Sequence, residues 1–184
     1  ALESRFRVLR YDTRGHGGSD VPEGPYTLSE LVADAVGLLD ALGIARVHFV
    51  GLSMGGMIAQ GLALSHPERL DHLSLCDTSA FMPPEAQPIV QDRIDTARRE
   101  GLAALVDAAL ARWFTAGYLR NQGPGVEMIR RIFLSSPPAG YIGCTEAIRH
   151  LNYLDELTRI GRPSLIVVGE EDPGTPVAAA KAIH

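Results

Sequence analysis

The chain has 184 residues, 46% of them hydrophobic and 21% charged, with a formal net charge of -5. That is one domain's length with enough apolar content for a core, and the mild acidity excludes a basic face for nucleic acid or a polybasic membrane anchor. No apolar run approaches the ~20 residues of a membrane span, and residues 1–8 lack the apolar stretch of a signal peptide.

In chain order, Phe6 to Tyr11 reads as a core strand. It runs into the polar, glycine-rich loop Asp12 to Ser19. Thr27 and Glu30 form a capping-box pair ahead of a helix whose apolar residues Leu28, Leu31, Val32, Ala35, Leu39 and Leu42 recur at helical spacing, with Gly43 as its terminator. Val47, His48, Phe49 and Val50 form the next strand. The run Gly56 to Ala63 is a tightly packed helix that Pro67 stops. Leu70 to Cys76 is a third strand. Continuous apolar strands alternating with helices predict a parallel sheet covered on both faces. The two cysteines, Cys76 and Cys144, are far apart and have no metal-ligand spacing. They read as small buried hydrophobes in a reducing, cytoplasmic setting.

The pattern changes after Phe81, and no strand is predicted to about Thr158. Leu102, Leu105, Val106, Ala109, Leu110 and Trp113 make one helical stripe. Met128, Ile129 and Ile132 suggest a second helix, and Ile142 to Leu151 a third. Pro83, Pro84, Pro124, Pro137 and Pro138 mark the loops between them. This is a helical insertion laid over the end of the sheet. The sheet returns at Ser164 to Val168, followed by Gly169, Glu170, Glu171, Asp172 and Pro173. The chain thus divides into residues 1–80, the N-terminal part of an α/β core; 81–158, a helical cap; and 159–184, a return to the core. It opens on a strand and closes at His184 inside a helix, so parts of the core are expected to lie beyond both ends.

The chemistry centres on Gly51-Leu52-Ser53-Met54-Gly55, a G-x-S-x-G between a strand and a helix. That context makes it a nucleophile elbow, in which a sharp turn lifts the serine hydroxyl out of the sheet. The turn is expected to demand glycine on both sides. Serine needs a base to take its proton, and histidine held by a carboxylate is the usual base. On such an elbow the order along the chain is serine, acid, histidine. Asp172 fits the acid, because it follows a later strand at the edge where open parallel sheets bind ligands. Glu170 and Glu171 are its rivals. The only histidine after Asp172 is His184, in an apparent helix with no intervening strand. His48, His66, His72 and His150 sit in strands, connections or the cap, and His16 alone lies in a loop near the active edge. The catalytic histidine is therefore expected beyond residue 184. The Met54 amide, at a helix N-terminus, is one oxyanion donor. The second is expected from a loop before Ala1.

Tyr11 to Ser19, the elbow Gly51 to Gly56, and Gly169 to Pro173 together resemble the α/β-hydrolase superfamily. More narrowly, the elbow in its G-L-S-M-G-G-M form, Leu75-Cys76-Asp77-Thr78-Ser79, Ala111-Arg112-Trp113-Phe114-Thr115, Pro137 to Tyr141 and Cys144 resemble the 3-oxoadipate enol-lactonases. The resemblance implies a serine hydrolase that opens 3-oxoadipate enol-lactone to 3-oxoadipate, a step of protocatechuate breakdown, through an acyl-enzyme on Ser53. It implies Asp172 as the acid, the Met54 amide as an oxyanion donor, and neither cofactor nor metal. The family's histidine and its N-terminal oxyanion loop have no counterpart here, so the 184 residues alone are expected to be inactive. A substrate with a free carboxylate calls for a cation. Arg112 is the candidate, with Arg149 as a second option, and Trp113 walls the pocket or packs the cap. Arg14 and Asp12 are expected to brace their own loop. The partners expected are small-molecule esters or lactones, with no nucleic acid and no membrane. A carboxylesterase, arylesterase or perhydrolase of the same fold is the alternative, and a non-catalytic ligand-binding homologue is the second.

Overall fold

The structure, a computed structural model, describes residues 2–121 and 123–184. Ala1 and Gln122, which fall in the predicted first core stretch and the cap, lie outside the described residues. Helix α1 (Leu28–Ala41) starts where expected: Thr27 accepts from the Glu30 amide at 3.2 Å while Glu30 accepts from the Thr27 amide at 2.8 Å. These bonds satisfy two amides that the first helical turn leaves without partners. Gly43, at φ 64°, lets the chain turn away after the helix. Strand β1 (Val47–Leu52), helix α2 (Met54–Ser65) and strand β2 (Leu70–Cys76) follow.

Among the described residues, five helices come next in the stretch expected as the cap: α3 (Gln87–Glu100), α4 (Val106–Trp113), α5 (Ala116–Arg120), α6 (Pro124–Ser135) and α7 (Pro138–Arg149). Strand β3 (Ser164–Val167) and helix α8 (Val177–Ile183) return to the core. Among the described residues the strands pair in parallel in the order β1-β2-β3. Parallel neighbours need long crossovers, and α2 supplies one while the whole cap supplies the other.

The register sorts the side chains by face. Phe49 lies beside Leu73, and Leu75 beside Ile166. These residues meet α1, α2 and the end of α8 in one core that includes Leu31, Ile58, Leu62, Leu73 and Leu75. The other face carries Val50, Leu52, Leu165 and Val167, which are 63%, 66%, 60% and 46% exposed. The expected cover on both faces is therefore found on one face only among the described residues. Successive side chains of a strand point to opposite faces, and the core helices all pack on the same one. The predicted strand Phe6 to Tyr11 is likewise not a strand. Its residues are exposed and form no ladder, and the Phe6 ring meets the His48 ring edge to face with centroids 5.6 Å apart. Apolar, β-prone residues become a strand only when their backbone groups find a partner.

In the cap, α3 packs against α7 and α4 against α6. A second core of Ala97, Leu102, Val106, Ala109, Leu110 and Phe133 holds it together. Helix α3 was not predicted. It buries only Val90, Ile94 and Ala97 and has Pro88 in its first turn, where proline is tolerated but easily taken for a loop. The predicted stripe from Leu102 to Trp113 is split into a short turn and α4, and Gly101, at φ 76°, separates it from α3. Of the residues that suggest α6, Ile129 packs against the second core, while Met128 and Ile132 are 49% and 53% exposed, and Phe133 is the buried residue there. Core and cap are joined where residues 80–82 run beside 151–153, with Tyr153 donating to the Ala80 carbonyl at 2.7 Å and Met82 to Leu151 at 3.0 Å. No helix among the described residues is long and apolar enough to cross a membrane.

Candidate active site

Strand β1 ends at Leu52 and α2 begins at Met54, so Ser53 alone makes the turn. Its backbone has φ 51° and ψ -114°, a strained conformation for a residue with a side chain. The surroundings hold it there. Ser53 donates to the Cys76 carbonyl at 2.9 Å, while its own carbonyl accepts from Gly56 at 2.9 Å, Met57 at 3.2 Å and the Thr78 hydroxyl at 2.7 Å. A Cβ on Gly51 would lie 2.2 Å from the Gly55 carbonyl oxygen, and one on Gly56 would lie 2.6 Å from the Thr78 side chain. Glycine is thus required at 51 and 56. Gly55 is a correction: a Cβ there meets nothing within 4 Å, because its outer side is open.

The Ser53 side chain is exposed, and its hydroxyl has no hydrogen-bond partner among the described residues. The Met54 amide, at the first position of α2, belongs to the turn whose N–H groups have no intrahelical acceptor. A carbonyl oxygen drawn to Ser53 therefore finds a free donor and the positive end of a 12-residue helix.

Asp172 follows β3 at the same sheet edge. Its Oδ1 accepts from the amides of Gly174 at 2.7 Å and Thr175 at 3.1 Å, and its Oδ2 from the Thr175 hydroxyl at 2.7 Å. Burial pushes the carboxyl pKa up, but the bonds from Thr175 and Gly174 outweigh it and hold the group below the usual carboxylate range. Glu170 and Glu171 are exposed and make no side-chain hydrogen bond among the described residues. Asp77, a further acid at the same edge, directly follows β2. It has φ 41°, donates to the Val167 carbonyl at 2.8 Å and accepts from the Gly169 amide at 2.7 Å. The signal was available, since Asp77 directly follows a strand just as the acid was expected to.

None of the six histidines hydrogen-bonds Ser53 among the described residues. His48, expected to be packed in its strand, is exposed and sits 3.1 Å from His72 through their Nδ1 atoms. His66 faces Glu68 at 3.5 Å. His150 and His184 follow the ends of α7 and α8. His16 lies 3.3 Å from the Arg14 carbonyl and 3.9 Å from Cys144 Sγ. That cysteine–histidine contact resembles a nucleophilic pair, but burial pushes the Cys144 thiol up to about 12, so it is not a thiolate near neutrality.

In the cap, Arg112 is partly buried and has no hydrogen bond or ion pair among the described residues. Burial, then the neighbouring Arg93, lowers its pKa. Trp113 is 51% exposed and meets Phe133 edge-on at 5.6 Å, so it neither fills the cap core nor stands free. Arg149 is committed to the cap: it pairs with Glu146 at 2.9 Å and bonds Gln91, and its carbonyl accepts from Gln87. Arg14 grips Asp34 through two bonds of 2.5 and 2.6 Å, and Asp12 accepts from Gly18 at 2.9 Å, so both brace their loop. Among the described residues no group of three or more histidine, cysteine or acidic side chains could hold a metal ion. Two surface hollows, one at Asp40 and Arg69 and one between Tyr26 and Tyr153, are lined by neither Ser53 nor Asp172.

Residues 1–114 match the family model described as alpha/beta hydrolase fold. The chain is 38% identical over 177 residues to 3-oxoadipate enol-lactonase 2 of Acinetobacter baylyi, covering 96% of this chain and 66% of that protein. It thus spans just under two thirds of that curated relative. The crystal structure of the enol-lactonase from Burkholderia xenovorans LB400 superposes with a TM-score of 0.94 at 42% identity, over 99% of this chain and 69% of that one. A thermophilic esterase from Thermogutta terrifontis, in a malate-bound structure, gives 0.92 at 32% identity over 99% and 68%.

Proposed function

Because the chain belongs to the α/β-hydrolase family, we propose that it carries the nucleophile and acid of a serine hydrolase that opens a small lactone. The substrate that fits best is 3-oxoadipate enol-lactone, opened to 3-oxoadipate in the cytoplasm. The observation that carries this reading is the strained Ser53 with a free hydroxyl beside the unpaired Met54 amide. The similarity to two enol-lactonases supports the substrate. Ser53 Oγ attacks the lactone carbonyl, and the developing oxyanion points at the Met54 N–H. A general base takes the Ser53 proton as the bond forms and returns it to the ring oxygen as collapse breaks the ring C–O bond, releasing an enol, a better leaving group than an alkyl alcohol. Water then attacks the acyl-enzyme and frees Ser53. Asp172, held ionised by its own loop, orients the base and stabilises its charged form. We propose that this base is a histidine outside these 184 residues, because the six present are placed elsewhere. Arg112 pairs with the substrate's free carboxylate, and Trp113 walls that side.

The test compares turnover of 3-oxoadipate enol-lactone with that of a neutral aryl acetate in the whole protein, with Ser53→Ala as control. A strong preference for the lactone, abolished in Ser53→Ala, is expected. Equal or better turnover of the acetate would favour a general esterase, the second reading that the Thermogutta terrifontis similarity supports. Tight binding without turnover would indicate a non-catalytic homologue.

A further inference from the structure

Three contacts cross the sheet edge between the end of β2 and the two loops that carry the chemistry. Asp77 donates its amide to the Val167 carbonyl at 2.8 Å and accepts the Gly169 amide on Oδ1 at 2.7 Å. Thr78, buried at 3% exposure, gives its hydroxyl to the Ser53 carbonyl at 2.7 Å, and its side chain fills the space over Gly56. Gly169 begins the loop that ends in Asp172, and Asp172 in turn donates its amide to the Gly169 carbonyl at 3.2 Å. Two adjacent residues therefore reach in opposite directions, one to the nucleophile's backbone and one to the root of the acid loop. Asp77 does this at φ 41°, a conformation that a residue with a side chain adopts only under constraint.

We propose that Asp77 and Thr78 are positioning residues that hold Ser53 and the Asp172 loop in fixed relation across the sheet edge. The inference rests on the serine-hydrolase reading and adds to it what sets the spacing of its two halves. A carboxylate is suited to this place for two reasons. It tolerates positive φ better than most side chains, and it accepts a backbone N–H more strongly than a neutral oxygen does. Charge is not what the task requires. An asparagine oxygen can accept the Gly169 N–H at the same point, and asparagine also tolerates positive φ.

That distinction supplies the test. Asp77→Gly removes the acceptor but permits the backbone conformation, whereas Asp77→Asn keeps the acceptor and removes the charge. Thr78→Val removes the hydroxyl and keeps the shape, whereas Thr78→Ser keeps the hydroxyl. Each is measured in the whole protein for kcat and KM on an aryl ester, with thermal midpoints and Ser53→Ala as the baseline. Small misplacements of reacting groups cost rate steeply, so Asp77→Gly should lower kcat by about tenfold or more with KM within about twofold. Asp77→Asn should recover to within about threefold of the parent, and Thr78→Ser should exceed Thr78→Val. If Asp77→Gly does not fold, the asparagine variant and the Thr78 pair decide. An asparagine variant as slow as Ser53→Ala would overturn the proposal, because the charge itself would then be needed. Parent-like kcat with only a lowered midpoint would overturn it too, leaving a merely structural role. If Ser53→Ala keeps its rate, the hydrolase reading fails. If it loses its rate while Asp77→Gly does not, only the brace fails.

Discussion

Ser53 keeps its left-handed backbone because its neighbours leave the turn no other course. The Cys76 carbonyl, the Thr78 hydroxyl and the close approach of Gly51 to Gly55 each constrain it. A methyl at Gly51 would strike backbone, which cannot move aside, whereas one at Gly55 enters open space. Gly51→Ala should therefore abolish hydrolysis and lower stability markedly. Gly55→Ala, in the first turn of α2, should leave stability unchanged or raise it by up to about 1 kcal/mol, because alanine is the better helix former. Urea melts of the two variants check this; equal losses in both would mean that the elbow is packed otherwise. The motif gives both glycines the same weight. Only the spacing of surrounding atoms distinguishes a glycine that prevents a collision from one that merely borders a serine. Asp77 was legible in principle, as an acid directly after a strand, yet its role depends on a bond to Gly169, 92 positions along the chain.

Helices with a strong local signature were read well, and those defined by their packing partners were not. Helix α1 announced itself through the Thr27–Glu30 box and an apolar stripe, and both are present. Helix α3 shows only three buried positions, and its contacts are made with α7, far along the chain. For α6 the apolar residues Met128, Ile129 and Ile132 mark a helix, but of these only Ile129 packs against the second core, since periodicity reveals a stripe and not what covers it. Helix α4 carries the cap's functional suggestion. Its Arg112 has no hydrogen bond or ion pair among the described residues and is partly buried, and the proposed role for it is to pair with the substrate carboxylate. Arg112→Ala should raise KM for the enol-lactone by about tenfold or more while leaving kinetics on a neutral aryl acetate within about twofold, because a charge-assisted pair lost from substrate binding acts on KM. Equal effects on both substrates would show that Arg112 supports the cap rather than the ligand.

The molecule as a whole is a parallel sheet whose C-terminal edge carries Ser53, Asp77 and the Asp172 loop, with a run of helices inserted between β2 and β3. That arrangement was legible from alternation of elements and from the two loops that follow β1 and β3. Which sheet face is packed was not. The strands are apolar throughout, so Val50 and Leu165, exposed on one side, read the same as Phe49 and Ile166 on the other. Only register sorts them. The proposed mechanism converges on one covalent event, the transfer of an acyl group to Ser53. Rapid quenching of the whole protein during turnover of an aryl ester, followed by mass analysis of its peptides, tests that event directly. The expected result is an acyl adduct on the peptide containing Ser53, absent from Ser53→Ala. Burst kinetics with the adduct on any other residue, or turnover undiminished in Ser53→Ala, would contradict it.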